Sequence, residues 1–324
     1  MNRRNLILST VASLAFGLLG NSAWAQAQNF PNKPVKLVVP FPAGSSPDIT
    51  ARMVADKLSQ AWGQPVLIDN KAGAAGAIGA ELVKQSPADG HTILFAVTSI
   101  LAINPHVLPN LRYQPLIDFT AVAEVATIPY VLVAPVGAPF NTLAELAEVA
   151  KRKPGGLDYA SAGVGSQLQV TIEMWSKQMG IKLNHIPYVG SAYNDLMGGS
   201  ISLLLDPATT AIPMVKSSKL KAIAVSTPQR LPALPNVPAA SEFMPGMVST
   251  AWHGMFAPKA TPPDIVNKFN TEMQRVLALP DVKAKLLDLG LIPVLGSAAD
   301  FNAKLANEYA MWGRAVRDLN IKLE

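Results

Sequence analysis

Short runs of apolar residues alternate along the chain with stretches whose apolar positions recur every three or four residues, the pattern of strands alternating with amphipathic helices. Val35 to Val39 is a continuous apolar strand, as a parallel sheet covered on both faces requires. A helix follows at once. Ser45 or Ser46 is placed to cap it, Pro47 suits its first turn, and Ile49, Met53, Leu58 and Trp62 recur at helical spacing. Val66 to Ile68 predicts a second strand, the segment through Ile78, Leu82 and Val83 a second helix, and Thr92 to Val97 a third strand. This order implies right-handed crossovers and a parallel sheet sandwiched by helices.

Near Tyr130 the pattern starts again, with strand Tyr130 to Ala134, helix Thr142 to Lys151, strand Asp158 to Ala160, helix Ser166 to Met179 and strand Leu183 to Ile186. Strands Ile201 to Leu205 and Ala222 to Val225 extend it. After a Pro-rich connection from Pro228 to Pro245 the chain changes character: strand Trp252 to Ala257 leads into helices Pro263 to Leu279, Pro280 to Leu289 and Ala298 to Leu319. The last carries Phe301, Leu305, Tyr309, Trp312 and Val316 on one face. These helices lack alternating strands, so they are expected to return and cover the first unit. The division predicted is residues 26–127 with 249–324 as one lobe and 128–248 as the other, with two crossovers near residues 128 and 249 forming a double-stranded hinge.

The first 25 residues read as an export leader: Arg3 and Arg4 form a basic start, Leu6 to Gly20 an apolar run, and Ala23-Trp24-Ala25 a small-x-small cleavage site before Gln26. The apolar run is shorter than a membrane span needs. Cleavage after Ala25 and a periplasmic location are expected. The chain has no cysteine, which excludes a disulfide staple and thiolate metal ligands. Without the leader, 27 basic residues less Arg3 and Arg4 stand against 22 acidic ones, a mild balance of scattered charges that argues against nucleic acid or an anionic membrane surface as partner.

Two glycine-rich turns carry the candidate chemistry. In Pro40-Phe41-Pro42-Ala43-Gly44-Ser45-Ser46-Pro47-Asp48 a strand end, a Gly-centred turn and a helix start place backbone N–H groups and hydroxyls at a positive helix terminus, where an anion is favoured. Tyr159-Ala160-Ser161-Ala162-Gly163-Val164-Gly165-Ser166 repeats the design, with Ser166 and Gln169 at capping-box spacing. Simple capping accounts for much of either turn, so spacing alone leaves function and structure open. A third segment, Asn70 to Gly79, has glycines every three residues, which favours close helix packing over a binding role. Thr98 and Ser99 follow one strand end and Asp206 ends another, where ligands meet parallel sheets. The candidate ligand-binding residues are Phe41, Ala43, Gly44, Ser45, Ser46, Asp48, Thr98, Ser99, Ser161, Gly163, Gly165, Ser166, Gln169 and Asp206.

Catalytic arrangements are thin. The sequence has no G-x-S-x-G elbow, no H-E-x-x-H zinc motif, no P-loop lysine and no complete dinucleotide fingerprint, and His91, His106, His185 and His253 lack ligand spacing. His185 reads as a structural strand-end residue, and Arg52 as a salt-bridge partner. No cofactor, metal or catalytic residue is expected.

The segments PFPAGSSPD with Ala51-Arg52, NKAGAAGAIGAELV, ADGHTILF, YASAGVGS, HIPYVGSA, DLMGGSISLLLD, LKAIAVSTPQRLPALPNVPAASE and WHGMFAP together resemble the Bug-type family, the extracytoplasmic solute receptors of tripartite tricarboxylate transporters. The resemblance implies a two-lobe α/β periplasmic binding protein fold, each lobe a mainly parallel sheet flanked by helices. It further implies a monomer that captures a small organic acid or amino acid carboxylate and presents it to membrane permease subunits. In the family the loops corresponding to Phe41 to Asp48 and Ser161 to Ser166 grip a carboxylate, partly through water. Two features depart from the family: Gln169 stands where a His is usual, and the stretch between Tyr188-Val189-Gly190 and Asp195 is shorter, with Tyr193 in the gap. The rival readings are a periplasmic hydrolase or transferase using Gly-rich loops, and a sensory receptor on the same fold.

Overall fold

The computed structural model describes residues 30–188 and 191–321, so the leader and its expected cleavage point lie outside the described residues, as do Val189 and Gly190. The strands are β1 (Val35–Val39), β2 (Val66–Asn70), β3 (Thr92–Val97), β4 (Phe119–Pro135), β5 (Asp158–Ser161), β6 (Asn184–Pro187), β7 (Leu203–Pro207), β8 (Leu220–Val225), β9 (Thr250–Pro258) and β10 (Ile292–Pro293). The longer helices are α1 (Ser46–Trp62), α2 (Ala77–Lys84), α3 (Leu143–Arg152), α4 (Gln167–Met179), α5 (Ala208–Lys216), α6 (Pro263–Ala278), α7 (Pro280–Asp288) and α8 (Ala298–Asp318). No helix among the described residues is long and apolar enough to cross a membrane.

The strands form one sheet path in the order β2-β1-β3-β9-β4-β7-β5-β6, with β8 and β10 also paired to β4. At its two ends the strands run parallel, β1 with β2 and β3, and β5 with β6 and β7. In the middle they are antiparallel, because β4 and β9 carry the chain between the ends. The 17-residue β4 belongs to both: Phe119 to Pro129 pair with β9, and Tyr130 to Pro135 with β7 and β8. The second crossing lies beside the first. Pro129 is in register with Thr250, the Tyr130 N–H donates to Ser226 Oγ at 2.9 Å, and the Ser249 N–H donates to Ser226 O at 3.0 Å.

Local chemistry explains most boundaries. Thr142 caps α3 by accepting from the Glu145 N–H at 3.2 Å, and Ser297 with Asp300 closes a capping box at the start of α8. Pro263 and Pro280 open α6 and α7, where a missing N–H costs nothing. Three readings of the pattern change. Neither Ser45 nor Ser46 caps α1 with its side chain: Ser45 holds the N-cap position through its backbone while its hydroxyl donates to Pro42 O at 2.7 Å. Ile49 and Ile78 face outward, and the buried faces of α1 and α2 are built instead from small residues such as Ala51, Ala55 and Ala80 with Val54, Leu58 and Val83. Strand β4 begins at Phe119, well before Tyr130; Ala121, Ala123, Glu124 and Ala126 lack the branched composition that marks a strand, so the pattern does not show its first half.

Helices α6 and α8 return to the β1 end, where α6 packs on α1 and β4 and α8 on β4. Phe301 of α8 meets Trp252 and Phe256 of β9 at ring separations of 5.1 and 5.0 Å. Beside them the Trp252 Nε1–H donates to Glu308 Oε2 at 2.7 Å. Burial pushes the Glu308 carboxyl up to about 7, against the opposing pull of Trp252 and Lys304. A carboxyl raised in the folded state contributes stability below its ordinary value of 4.5, and that contribution fades as pH rises through about 7. Glu308→Gln keeps an acceptor for Trp252 but carries no charge. It should match the parent near pH 4 and exceed it by about 1 to 3 kcal/mol near pH 8, as read by urea unfolding. Equal stabilities at both pH values would refute the assignment.

Candidate ligand-binding cleft

After β1 the chain makes a turn whose shape rests on Gly44 and Asp48. Gly44 has φ +81, a left-handed conformation that a residue with a Cβ adopts only at a cost. Asp48, 1% exposed, sits beneath it and accepts from the Gly44 N–H at 2.8 Å, from Arg52 Nε at 3.0 Å and from Asn70 Nδ2 at 2.8 Å. Asn70 Nδ2 also donates to Phe41 O at 3.0 Å, tying the turn to the end of β2. Burial works to raise the Asp48 carboxyl, but Arg52, the Gly44 N–H and Asn70 together hold it below its usual value. Asp48 is therefore an ionised clamp under the turn. Arg52 is spent on that ion pair.

The turn after β5 is built the same way from different parts. Gly163 and Gly165 have φ +109 and +76, and Ser161 Oγ bonds both the N–H and the C=O of Gly163, at 3.2 and 3.0 Å. Gln169 Oε1 accepts from the Gly165 N–H at 2.7 Å, while the Gln169 N–H donates to Ser166 Oγ at 3.3 Å. The box thus closes on Gly165 instead of on Ser166. Because Ser166 Oγ serves the cap as an acceptor, its own O–H stays available as a donor. Gln169 is buried under the turn, supporting its shape.

Both turns open on one cavity of about 580 Å³. Phe41 and Ser46 come from the first, Gly165 and Ser166 from the second, and Ser99 from the end of β3; the N-terminal residues of α1 and α4 stand in the wall, bringing two positive helix ends to one space. Among the described residues no Asp, Glu, Lys or Arg lines it. A side chamber of about 210 Å³ shares Ala162 and Leu168 with the main one and is lined by Ser161, Tyr193 and Asp206. There Asp206 accepts from Tyr193 Oη at 2.5 Å and from Thr210 Oγ1, and burial raises its carboxyl despite those donors. Of the remaining candidates, Ala43 and Gly44 form the exposed crest of the first turn, with Ser45 bonded back to Pro42. Thr98 is fully buried, its Oγ1 accepting from the Trp252 N–H at 2.9 Å.

The cavity also takes in residues that the pattern reading assigned to packing. Gly73 and Gly76 of the third glycine segment line it, although a Cβ on Gly76 would meet Ile100 Cδ1 at 2.6 Å, so close packing is real there too. Ile128, Tyr130, Ala251 and His253 come from the two crossing strands, where an apolar run disguises any polar member as core. Tyr130 Oη donates to Gln167 Oε1 at 3.3 Å, and Gln167 Nε2 donates to Thr250 O at 2.9 Å, fastening the start of α4 to both crossings. Ser161 Oγ lies 2.6 Å from His185 Nε2, a nucleophile-to-base distance. Yet Ser161 is 2% exposed, and among the described residues no carboxylate orients His185, whose ring stacks on Tyr159. Among the described residues no cluster is placed to hold a metal ion.

Residues 50–321 match the family model described as the tripartite tricarboxylate transporter family receptor. The chain belongs to this receptor family. BugT of Bordetella pertussis is 31% identical over 328 residues, covering 100% of both chains, the first turn included. Among solved structures, R. palustris Rpa4515 with adipate is 32% identical at TM-score 0.81, over 91% of this chain and all of that one. MatC (Rpa3494) from Rhodopseudomonas palustris, with bound malate, is 31% identical at TM-score 0.76, over 89% of this chain and all of that one. As a member of the receptor family, the chain has the α/β fold of these periplasmic binding proteins, with the two glycine turns on a common cavity.

Proposed function

We propose that this receptor works in the periplasm, as a monomer, by closing two lobes on a small organic acid and presenting it unchanged to permease subunits of a tripartite transporter. The observation that carries the reading is the cavity itself: two glycine-serine turns, each at a helix start, share a wall in which no described residue is an Asp, Glu, Lys or Arg. An anion there is compensated by amide groups, hydroxyls and helix ends, which are already oriented before the ligand arrives. The adipate and malate bound by the two solved relatives support a carboxylate as the guest. In this reading residues 26–127 with 249–324 form one lobe and 128–248 the other. The hinge is the paired stretch at Pro129 and Thr250, where β4 changes partners. Closure about two adjacent strands would bury the solute and create the shape a permease recognises.

A thermal-shift screen against aliphatic and aromatic mono- and dicarboxylates and amino acids tests the reading, because a ligand at about 100 times its Kd adds roughly 2.7 kcal/mol. Acids should raise the melting temperature and be recovered chemically intact; conversion of the bound acid would support the hydrolase or transferase reading. Ser166→Ala removes both the cap and the free O–H. It should lower stability by about 1 kcal/mol and acid affinity by roughly fivefold, as read by calorimetry. Unchanged affinity would take Ser166 out of the site.

A further inference from the structure

His253 lies on β9 at the second crossing, in register with Val97 of β3 and Ala126 of β4, and forms part of the cavity wall. It is 1% exposed. Its Nδ1 is buried with no hydrogen-bond partner among the described residues, although its ring has an aromatic neighbour, Phe95, at 5.6 Å. A buried polar atom without a partner is costly, and Nδ1 is closed to water and guest alike, so Nε2 is the ring nitrogen left for a guest to meet. The glycine turns account for one end of a guest. Nothing in them explains an imidazole set into the crossing strands.

We infer that His253 is a specificity-determining residue, hydrogen-bonding a second oxygen function of the bound acid while the two glycine turns hold its carboxylate. This rests on the carboxylate reading of the cavity and extends it to the class of acid preferred. The ring is suited to the task for three reasons. Among the described lining residues it alone offers a nitrogen donor or acceptor from a rigid ring held in sheet. Burial drives its pKa down to about 3, so the imidazole stays neutral and offers one N–H and one lone pair. The surrounding wall, with Val97, Ile128 and Ala251, is apolar, so a guest that leaves the ring unpaired loses more than it would in a wetter site. The preferred ligand is thus an acid with a hydroxyl, an oxo group or a distal carboxylate, over the plain fatty acid of equal length. A bridging water satisfies the same geometry.

The test compares three end groups on four-, five- and six-carbon acids: methyl, hydroxyl and carboxylate, exemplified by hexanoate, 6-hydroxyhexanoate and adipate. Calorimetry on the mature chain should show at least one length at which an oxygen-bearing end binds ten times or more tighter than methyl. In His253→Leu the ratio between oxygen-bearing and methyl ends should fall to within about twofold of unity, whichever way overall affinity moves; His253→Gln, which keeps a donor and an acceptor, should retain part of the preference. Circular dichroism confirms that both variants are folded. Preference unchanged in a folded His253→Leu, equal loss for all three ends, or no preference in the parent chain would each overturn the role of His253. Failure of the parent chain to bind any acid would instead overturn the carboxylate reading beneath it.

Discussion

Asp48→Ala is expected to lower stability by about 3 kcal/mol and acid affinity by more than tenfold. Three donors converge on that one carboxylate: the Gly44 N–H, Arg52 Nε and Asn70 Nδ2. A charge-assisted bond is worth about 1.5 to 3 kcal/mol, but Arg52 is half exposed and regains water, so the sum is discounted. Asn70 Nδ2 keeps Phe41 O as an acceptor, but the Gly44 N–H loses the bond that sets the turn. Without that bond the turn loses its fixed shape, and Ser46 and the start of α1 lose their place in the wall. Asp48→Asn should show about half the effect, since one of its two polar atoms presents a donor to a donor. Urea unfolding and calorimetry with any acid found to bind will measure both. A stable Asp48→Ala chain with full affinity would show that the turn keeps its form without the clamp.

Gly165→Val is expected to abolish most binding, with affinity down roughly a hundredfold and stability down about 2 kcal/mol. At φ +76 a β-branched residue is strained, because its Cβ crowds the carbonyl oxygen. The new Cβ would also stand 3.3 Å from Val107 Cγ2, which itself lines the cavity. Relieving either contact moves the Gly165 N–H off Gln169 and tilts the start of α4. The loss in binding should exceed the loss in stability because the displaced residues line the cavity. Gly165→Ala should fall between parent and valine. Affinity within threefold of the parent in Gly165→Val would show that this turn does not touch the ligand.

What could be read from the residues depended on how local each cause is. Strands β1 and β3 and helix α8 show their periods plainly, and they fold where those periods place them. Helix α5 is masked by Pro213 in its interior, and the first half of β4 by its alanines, since neither follows its own composition; packing decides both. The outward turn of Ile49 has a similar origin: the sheet accepts the small face of α1, with Ala51 and Ala55, and leaves the large residue to solvent. The two glycine turns are legible because a turn and a cap are properties of a few neighbours. The floor of the cavity is not. Tyr130 and His253 lie more than a hundred residues apart and meet only through the order of strands, which no local pattern encodes.

The absence of Asp, Glu, Lys and Arg from the described residues of the cavity wall has a consequence for the rate at which solute is collected. With no lysine or arginine among the described lining residues, no full charge in the wall itself draws in an anion, and dissolved salt has little to screen there. Encounter is then set by diffusion, and discrimination falls on the residence of the guest once inside.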